Sequence, residues 1–183
     1  MHADVVKNWF GEKFQNLHPL LQKLHLTGGQ LSGDVRISFG KGTSGVIGRR
    51  LAKKMHFPGP GTHQLRINIS QSINGLSWVR SFNSQTPVTS LFKPIGNIDS
   101  GYWIESTGPL KMKLTVDIIN GGWFWRCLSI KFFGIPIPKW IMPHTKAYKI
   151  IENDLYRFHV EFSLPLLGSL VCYQGLLKLE KPQ

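Results

Sequence analysis

The sequence predicts a mainly β fold: a strongly curved antiparallel sheet or barrel of about eight or nine strands with N-terminal helices. Three observations carry this reading. Apolar residues alternate with a period of two over most of the chain, short turn signals separate the alternating runs, and helical periodicity is confined to the first third. Sequential strands joined by short turns form antiparallel meanders, and a sheet this wide has to curl or close. Small closed barrels hold one ligand, so a cavity is part of the expectation.

The helices come first. From Asp4 to Leu24, Val6, Phe10, Phe14, Leu17, Leu21 and Leu24 recur at steps of three and four, the mark of an amphipathic helix, and Pro19 kinks or splits it near His18. Gln30 to Phe39 then alternates as a half-buried strand. Thr43 or Ser44 caps a second helix that runs to about Met55, where Pro58-Gly59-Pro60-Gly61 stops it. Arg49, Arg50, Lys53 and Lys54 share one arc of this helix, with Ile47, Leu51, Ala52 and Met55 opposite.

From residue 62 to 180 the chain reads as strands. Leu65, Ile67 and Ile69 alternate with polar residues, and Asn74-Gly75 turns into Leu76, Trp78, Arg80 and Phe82. A strand with Tyr102, Trp103 and Ile104 precedes the alternation of Leu110 to Ile118, and Asn120-Gly121-Gly122 leads into Trp123 to Phe133. Lys146 to Ile151 and Leu155 to Leu164 pair through Glu152-Asn153-Asp154, and Ser169 to Leu179 closes the set. No repeat or linker divides the chain, so residues 1–183 are expected to form one domain.

Composition narrows the function. With 183 residues, 42% of them hydrophobic and 17% charged, disorder is excluded as a description. The 22 Lys+Arg against 10 Asp+Glu give a net charge of +12, which predicts an anionic partner. The start of the chain, Met1-His2-Ala3-Asp4, leads into Lys7, Glu12 and Lys13 without the apolar stretch of a secretory leader. Trp123 to Pro143 has the length of a membrane span but carries three cations and three prolines, so it is no plain transmembrane helix. Cys127 and Cys172 lack any C-x-x-C spacing and read as reduced, buried residues, which fits a cytoplasmic protein.

Arg80 is the sharpest candidate. It lies on the face of Trp78 and Phe82, so its guanidinium points inward unless the strand is an edge whose arginine stem covers a tryptophan. Glu105 is the predicted partner, and the pair is read as meeting inside the barrel or at its rim. Together with Trp78, Phe82, Tyr173 and His144 they form the expected ligand-binding set, suited to a hydrophobic or amphipathic acid. An anionic membrane surface is the second expected partner. Arg49, Arg50, Lys53 and Lys54 would meet it with Phe133 and Trp140 of the apolar stretch Phe132 to Pro143, unless that stretch packs as a lid over the barrel mouth and the helix face is merely solvated.

No metal site is expected. Among seven histidines, His18 and His25, and His56 and His63, lack a Cys or acidic residue at ligand spacing, and His159 reads as one rung of a surface ladder with Arg157 and Glu161. No phosphate loop, nucleophile elbow or dinucleotide fingerprint is present, so no cofactor is expected. Nucleic acid is a minor option, resting on Lys111, Lys113 and Arg66, because the alternation buries most aromatics.

Leu17-His18-Pro19, Trp78-Val79-Arg80-Ser81-Phe82, Glu105-Ser106-Thr107-Gly108-Pro109-Leu110, Gly134-Ile135-Pro136-Ile137-Pro138, Pro165-Leu166-Leu167-Gly168 and Tyr173-Gln174-Gly175 occur in this order. In these the sequence resembles the bacterial DUF4166 family, a domain of unknown function. The resemblance implies a bacterial, cytoplasmic-facing accessory domain, found alone or attached to larger chains such as reductase-like and multi-spanning membrane proteins. It supplies no activity and no catalytic residues. The family's frequent acidic residue near the position of Tyr148 is absent, which speaks against an acid-dependent role there. The leading expectation is a binding module for a hydrophobic or amphipathic small molecule or lipid, peripheral to the inner face of the membrane. Alternatives are an enzyme acting on such a ligand with Arg80 and Glu105, and a protein-contact domain marked by a filled barrel and an exposed Phe132 to Met142 loop.

Overall fold

The computed structural model describes residues 4–180, so Met1-His2-Ala3 at the start of the expected domain, and 181–183 at its end, lie outside the described residues. The predicted first helix is broken twice. Helix α1 (Val5–Phe10) gives way at Gly11, whose φ of 57° leaves the helical region, to a 3-10 segment (Gly11–Asn16). Helix α2 (Pro19–Thr27) then starts with Pro19 in its first turn, where proline needs no N–H, and the His18 ring Nδ1 accepts the Leu20 N–H at 3.2 Å. Proline here begins a helix instead of kinking one.

Eleven strands follow or surround helix α3 (Gly42–Lys54): β1 (Gly29–Phe39), β2 (Gly61–Ser72), β3 (Gly75–Phe82), β4 (Val88–Ile95), β5 (Tyr102–Thr107), β6 (Leu110–Ile119), β7 (Gly122–Phe132), β8 (Ile135–Pro136), β9 (His144–Glu152), β10 (Leu155–Leu164) and β11 (Gly168–Leu179). β1 to β7 pair in sequence, β7 pairs β9, and β9, β10 and β11 lead back to β1, all antiparallel, which closes a ten-strand barrel. The β7–β9 seam is short, three residue pairs from Trp123 to Trp125, and β8 takes the far end of the same edge at Lys131 and Phe132. The expected count of eight or nine therefore misses β4 and β8, while the curved, closed architecture stands.

The alternating residues do point inward. Leu65, Ile67 and Ile69, then Leu76, Arg80 and Phe82, then Leu110, Met112, Leu114 and Val116 are buried. Trp9, Phe10 and Phe14 from the N-terminal segment join Leu21 and Leu24 of α2 to plug one end, with Trp9 5.4 Å from Trp103 and Phe10 4.7 Å from Trp123 between ring centroids. Two turns match the sequence: Asn120-Gly121 and Asn153-Asp154 both have positive φ, as two-residue hairpin loops demand. The Asn74-Gly75 turn sits one residue earlier than expected, with Ile73 and Asn74 as its loop and Ser72 paired to Gly75.

Helix α3 departs from its predicted face. Its N-cap is Lys41, and Ser44, read as a cap, instead donates its hydroxyl to the Lys41 carbonyl at 2.9 Å. The buried face is Ser44, Gly45, Gly48 and Ala52, with Ile47 exposed and Leu51 and Met55 only half-buried. The reason is close approach: a Cβ on Gly48 would lie 2.0 Å from the Leu170 carbonyl oxygen of β11. Small residues let the helix lie directly on the barrel wall. This places the four cations outward, around the barrel end opposite the plug.

Candidate functional site

Two sets of polar groups sit inside the barrel, and a third, mixed surface occupies its α3 end. The first inner set is built on β3, β4, β5 and β11, whose register brings inward side chains to one level. Arg80, 6% exposed, donates from Nη1 to the Tyr173 hydroxyl at 3.0 Å and from Nη2 to Ser90 Oγ, and its Nη2 lies 3.8 Å from Glu105 Oε1. The Glu105 carboxylate accepts from Ser90 at 3.2 Å and from Thr107 at 3.1 Å. The two charged groups thus meet inside the wall, as strand parity predicts, and the edge-strand alternative for Arg80 is overturned: β3 is flanked by β2 and β4. Burial pushes the Glu105 carboxyl above its ordinary pKa, against the pull of the Arg80 charge and the Thr107 and Ser90 hydroxyls. Burial also raises the Tyr173 phenol, opposed by Arg80.

Trp78 and Phe82 flank Arg80 on the same face of β3, as expected. Phe82 and Tyr173 both pack on Phe57, at 5.3 Å each, so Phe57 of the loop after α3 stoppers this end of the interior. His144 is elsewhere: it is exposed at the start of β9 and touches none of the Arg80 partners named above.

The second inner set has no counterpart in the sequence reading. Lys149 of β9, 5% exposed, lies 2.7 Å from His25 Nε2 of α2 and over the rings of Trp123 and Trp78, at 3.9 and 4.3 Å from their centroids. Burial holds the Lys149 amine well below its ordinary pKa, with the Glu105 charge pulling it back up. His25 is likewise held well below the usual imidazole range, by burial first and the nearby Lys149 second. A lysine on an inward parity is easily read as outward, because lysines usually are. The indole box around Lys149 was the available signal, since Trp123 and Trp125 share a face of β7.

The space inside the wall is occupied by these groups and by Trp103, Trp123, Phe82 and Phe92. The described cleft, about 610 Å³, lies outside it, between α3 and the loop that follows. Arg49, Lys53 and His56 line it with Phe39, Phe57 and Pro58.

The α3 end carries one group of the exposed apolar side chains. The lid expectation holds for part of the 132–143 segment only: Phe132, Ile137 and Met142 pack on the core, whereas Phe133, Ile135 and Trp140, the last 78% exposed, face outward. Lys54 Nζ sits 5.2 Å from the Phe133 ring centroid, which fixes the basic helix beside this loop. Across α3, the β10–β11 turn presents Leu166, fully exposed, and Leu167, two residues from the Ser169 carbonyl on which Gly40 packs. The leucine turn was not among the expected contact residues, because two leucines between strands read as core. Arg49, Arg50, Lys53 and Lys54 are all exposed. Among the described residues no helix is long and apolar enough to cross a membrane. The cysteines are both free and half-buried, Cys127 packed on the core and Cys172 on the outer face, so neither is the fully buried residue expected.

The model of a family described as a domain of unknown function, DUF4166, matches residues 17–177, most of the chain. No curated protein and no solved structure matches it.

Proposed function

The chain belongs to the DUF4166 family, and from the geometry of its barrel we propose that it is a module that docks on an anionic membrane surface and holds an amphipathic acid there. The observation that carries this reading is the joint placement of Phe133, Ile135, Trp140 and Leu166, all exposed, around a helix that presents Arg49, Arg50, Lys53 and Lys54 outward. Apolar side chains on protruding loops gain by entering the acyl boundary, and cations beside them gain from lipid phosphates. Among the described residues none of the four cations forms a salt bridge. Exposed apolar side chains beside charge of one sign mark a contact site, and the sign selects lipid headgroups over an apolar protein groove.

The cleft beside α3 gives the acid its place. Arg49 and Lys53 supply positive charge at its wall, and Phe39, Phe57 and Pro58 supply apolar surface. A lipid headgroup seated there would leave its chains toward the bilayer that the loops enter. The filled interior fits this arrangement better than a ligand within the barrel, and it makes the Arg80–Glu105 group a polar brace of the wall.

Co-sedimentation with vesicles tests the reading. Four helix cations at about 1 kcal/mol each amount to about 4 kcal/mol, or roughly a thousandfold in affinity. The variant Arg49→Ser/Arg50→Ser/Lys53→Ser/Lys54→Ser is expected to lose most binding to phosphatidylglycerol vesicles while keeping its melting temperature. Absence of vesicle binding by the unaltered protein at low salt would overturn the proposal in favour of a protein partner, and equal binding to neutral phosphatidylcholine vesicles would overturn the selection of an anionic surface by the helix cations.

A further inference from the structure

On the outer wall formed by β10 and β11, strand register assembles a cluster that spacing along the chain conceals. His159 and Glu161 are two apart on β10 and so share its outer face, and Glu161 is paired across to Cys172 of β11 while His159 is paired to Gln174. His159 Nε2 lies 3.5 Å from Glu161 Oε2 and 4.0 Å from Cys172 Sγ, and one ligand atom from each of the three falls within 4.8 Å of the others. The polar ladder read from the sequence, with Arg157 and Glu161, is thereby redrawn: Arg157 turns to Glu152, and the third member of the His159 group comes from another strand.

The imidazole is oriented for coordination. Nδ1 lies 3.1 Å from the Gln174 side-chain oxygen, an acceptor that favours the tautomer donating Nδ1–H to it. That leaves the Nε2 lone pair aimed at Cys172 and Glu161. Tyr148 stacks on the ring at 5.2 Å and 7°, fixing its plane, and His159 is nine-tenths buried. A histidine whose second nitrogen is tied to an oxygen acceptor is the arrangement that supports metal ligation. The distances suit it too. A tetrahedral zinc with ordinary bond lengths separates nitrogen from oxygen by about 3.4 Å and sulfur from nitrogen by about 3.6 Å, so closure asks side-chain shifts of well under about 2 Å.

We propose that His159, Glu161 and Cys172 form a binding site for a borderline-soft divalent cation of the zinc type, with the fourth coordination position open to water. Thiolate, imidazole and carboxylate together select zinc over magnesium or calcium, which take oxygen ligands. Binding displaces the Cys172 thiol proton to solvent and forms the metal–sulfur bond, with no change of oxidation state. Lys146, paired to Glu161 across β9 and β10, stands as the competing cation for that carboxylate. Neutralising it should strengthen the site.

The experiment is a titration of the untagged protein with zinc alone and, in parallel, with cobalt alone. One equivalent of zinc per chain is expected, and cobalt is expected to give the near-ultraviolet absorption of a thiolate ligand. Cys172→Ser and His159→Gln should abolish both, Cys127→Ser should leave both intact, and Gln174→Leu should weaken zinc by 10–100-fold. Lys146→Ala should tighten it. Because a variant can fail to fold, zinc protection of Cys172 from thiol reagents in the unaltered protein provides a second measurement. No stoichiometric uptake, a thiolate band that survives Cys172→Ser, or a Cys172 thiol that reacts equally fast with and without zinc would each overturn the site.

Discussion

Replacing Lys149 by methionine should change the pH dependence of stability in a direction that few single substitutions produce. In the folded chain the amine is buried against His25 and two indole faces, with its pKa well below the ordinary lysine value of 10.5. In the unfolded chain it titrates normally, near 10.4. The unfolded state therefore binds more protons throughout the interval between the two values, and stability rises with pH across it. The stability is complete above the unfolded pKa and is lost as pH falls toward the folded one. Where the two states differ by a whole proton the slope is about 1.36 kcal/mol per pH unit. For a chain of this size about 1 kcal/mol moves the melting temperature by about 2–4 °C, so the rise is about 3–5 °C per unit. The burial-raised thiols of Cys127, pushed up to about 11, and of Cys172 oppose it from about pH 8.5 upward, and the burial-raised phenols of Tyr156 and Tyr173 from about pH 10. Calorimetric melts between about pH 8 and pH 9.5 on a Cys127→Ser/Cys172→Ser background, which removes the thiol contribution, are thus the assay. Lys149→Met should flatten the profile, and Lys111→Met, which alters an exposed lysine on β6, should not. A profile that is flat in the cysteine-free background, or equally steep there with Lys149→Met, would refute the burial of a neutral amine.

Three further outcomes follow from the same geometry. Arg80→Met leaves Glu105 buried without its cation and should cost about 3–5 kcal/mol in denaturant melts; adding Glu105→Gln should recover part of that loss, and strict additivity of the two would show that the groups do not interact. His25, held neutral by burial, should make stability fall by about 1.36 kcal/mol per unit as pH drops below about 6.5, a loss that His25→Leu removes. Gly48→Val places a side chain against the Leu170 carbonyl and should cost about 1–3 kcal/mol or more while exposing residues 42–56 to limited proteolysis.

The legible part of this fold is the part written in alternation. Leu65 to Ile69, Leu76 to Phe82 and Leu110 to Val116 show their inward faces directly, and the single charged residue on such a face, Arg80, led to Glu105. β4 escaped because its inward residues are Val88, Ser90 and Phe92 followed by Pro94, so a buried serine interrupts the apolar pattern and a proline argues against a strand. The buried face of α3 escaped because glycine carries no hydrophobic signal, yet Gly45 and Gly48 are what permit contact with β11. The His159 group escaped because its ligating atoms converge through register between β10 and β11, which spacing along one strand does not encode. The Leu166-Leu167 turn inverted the ordinary inference that leucine lies inside.

The central claim is that the α3 end enters a lipid surface, and Trp140 reports on it directly. It is 78% exposed, whereas Trp9, Trp103 and Trp123 are no more than 2% exposed. On addition of phosphatidylglycerol vesicles with brominated acyl chains, tryptophan emission should shift to the blue and be quenched, and Trp140→Phe should remove the quenching. Emission unchanged by the vesicles, or quenching that persists without Trp140, would contradict the account.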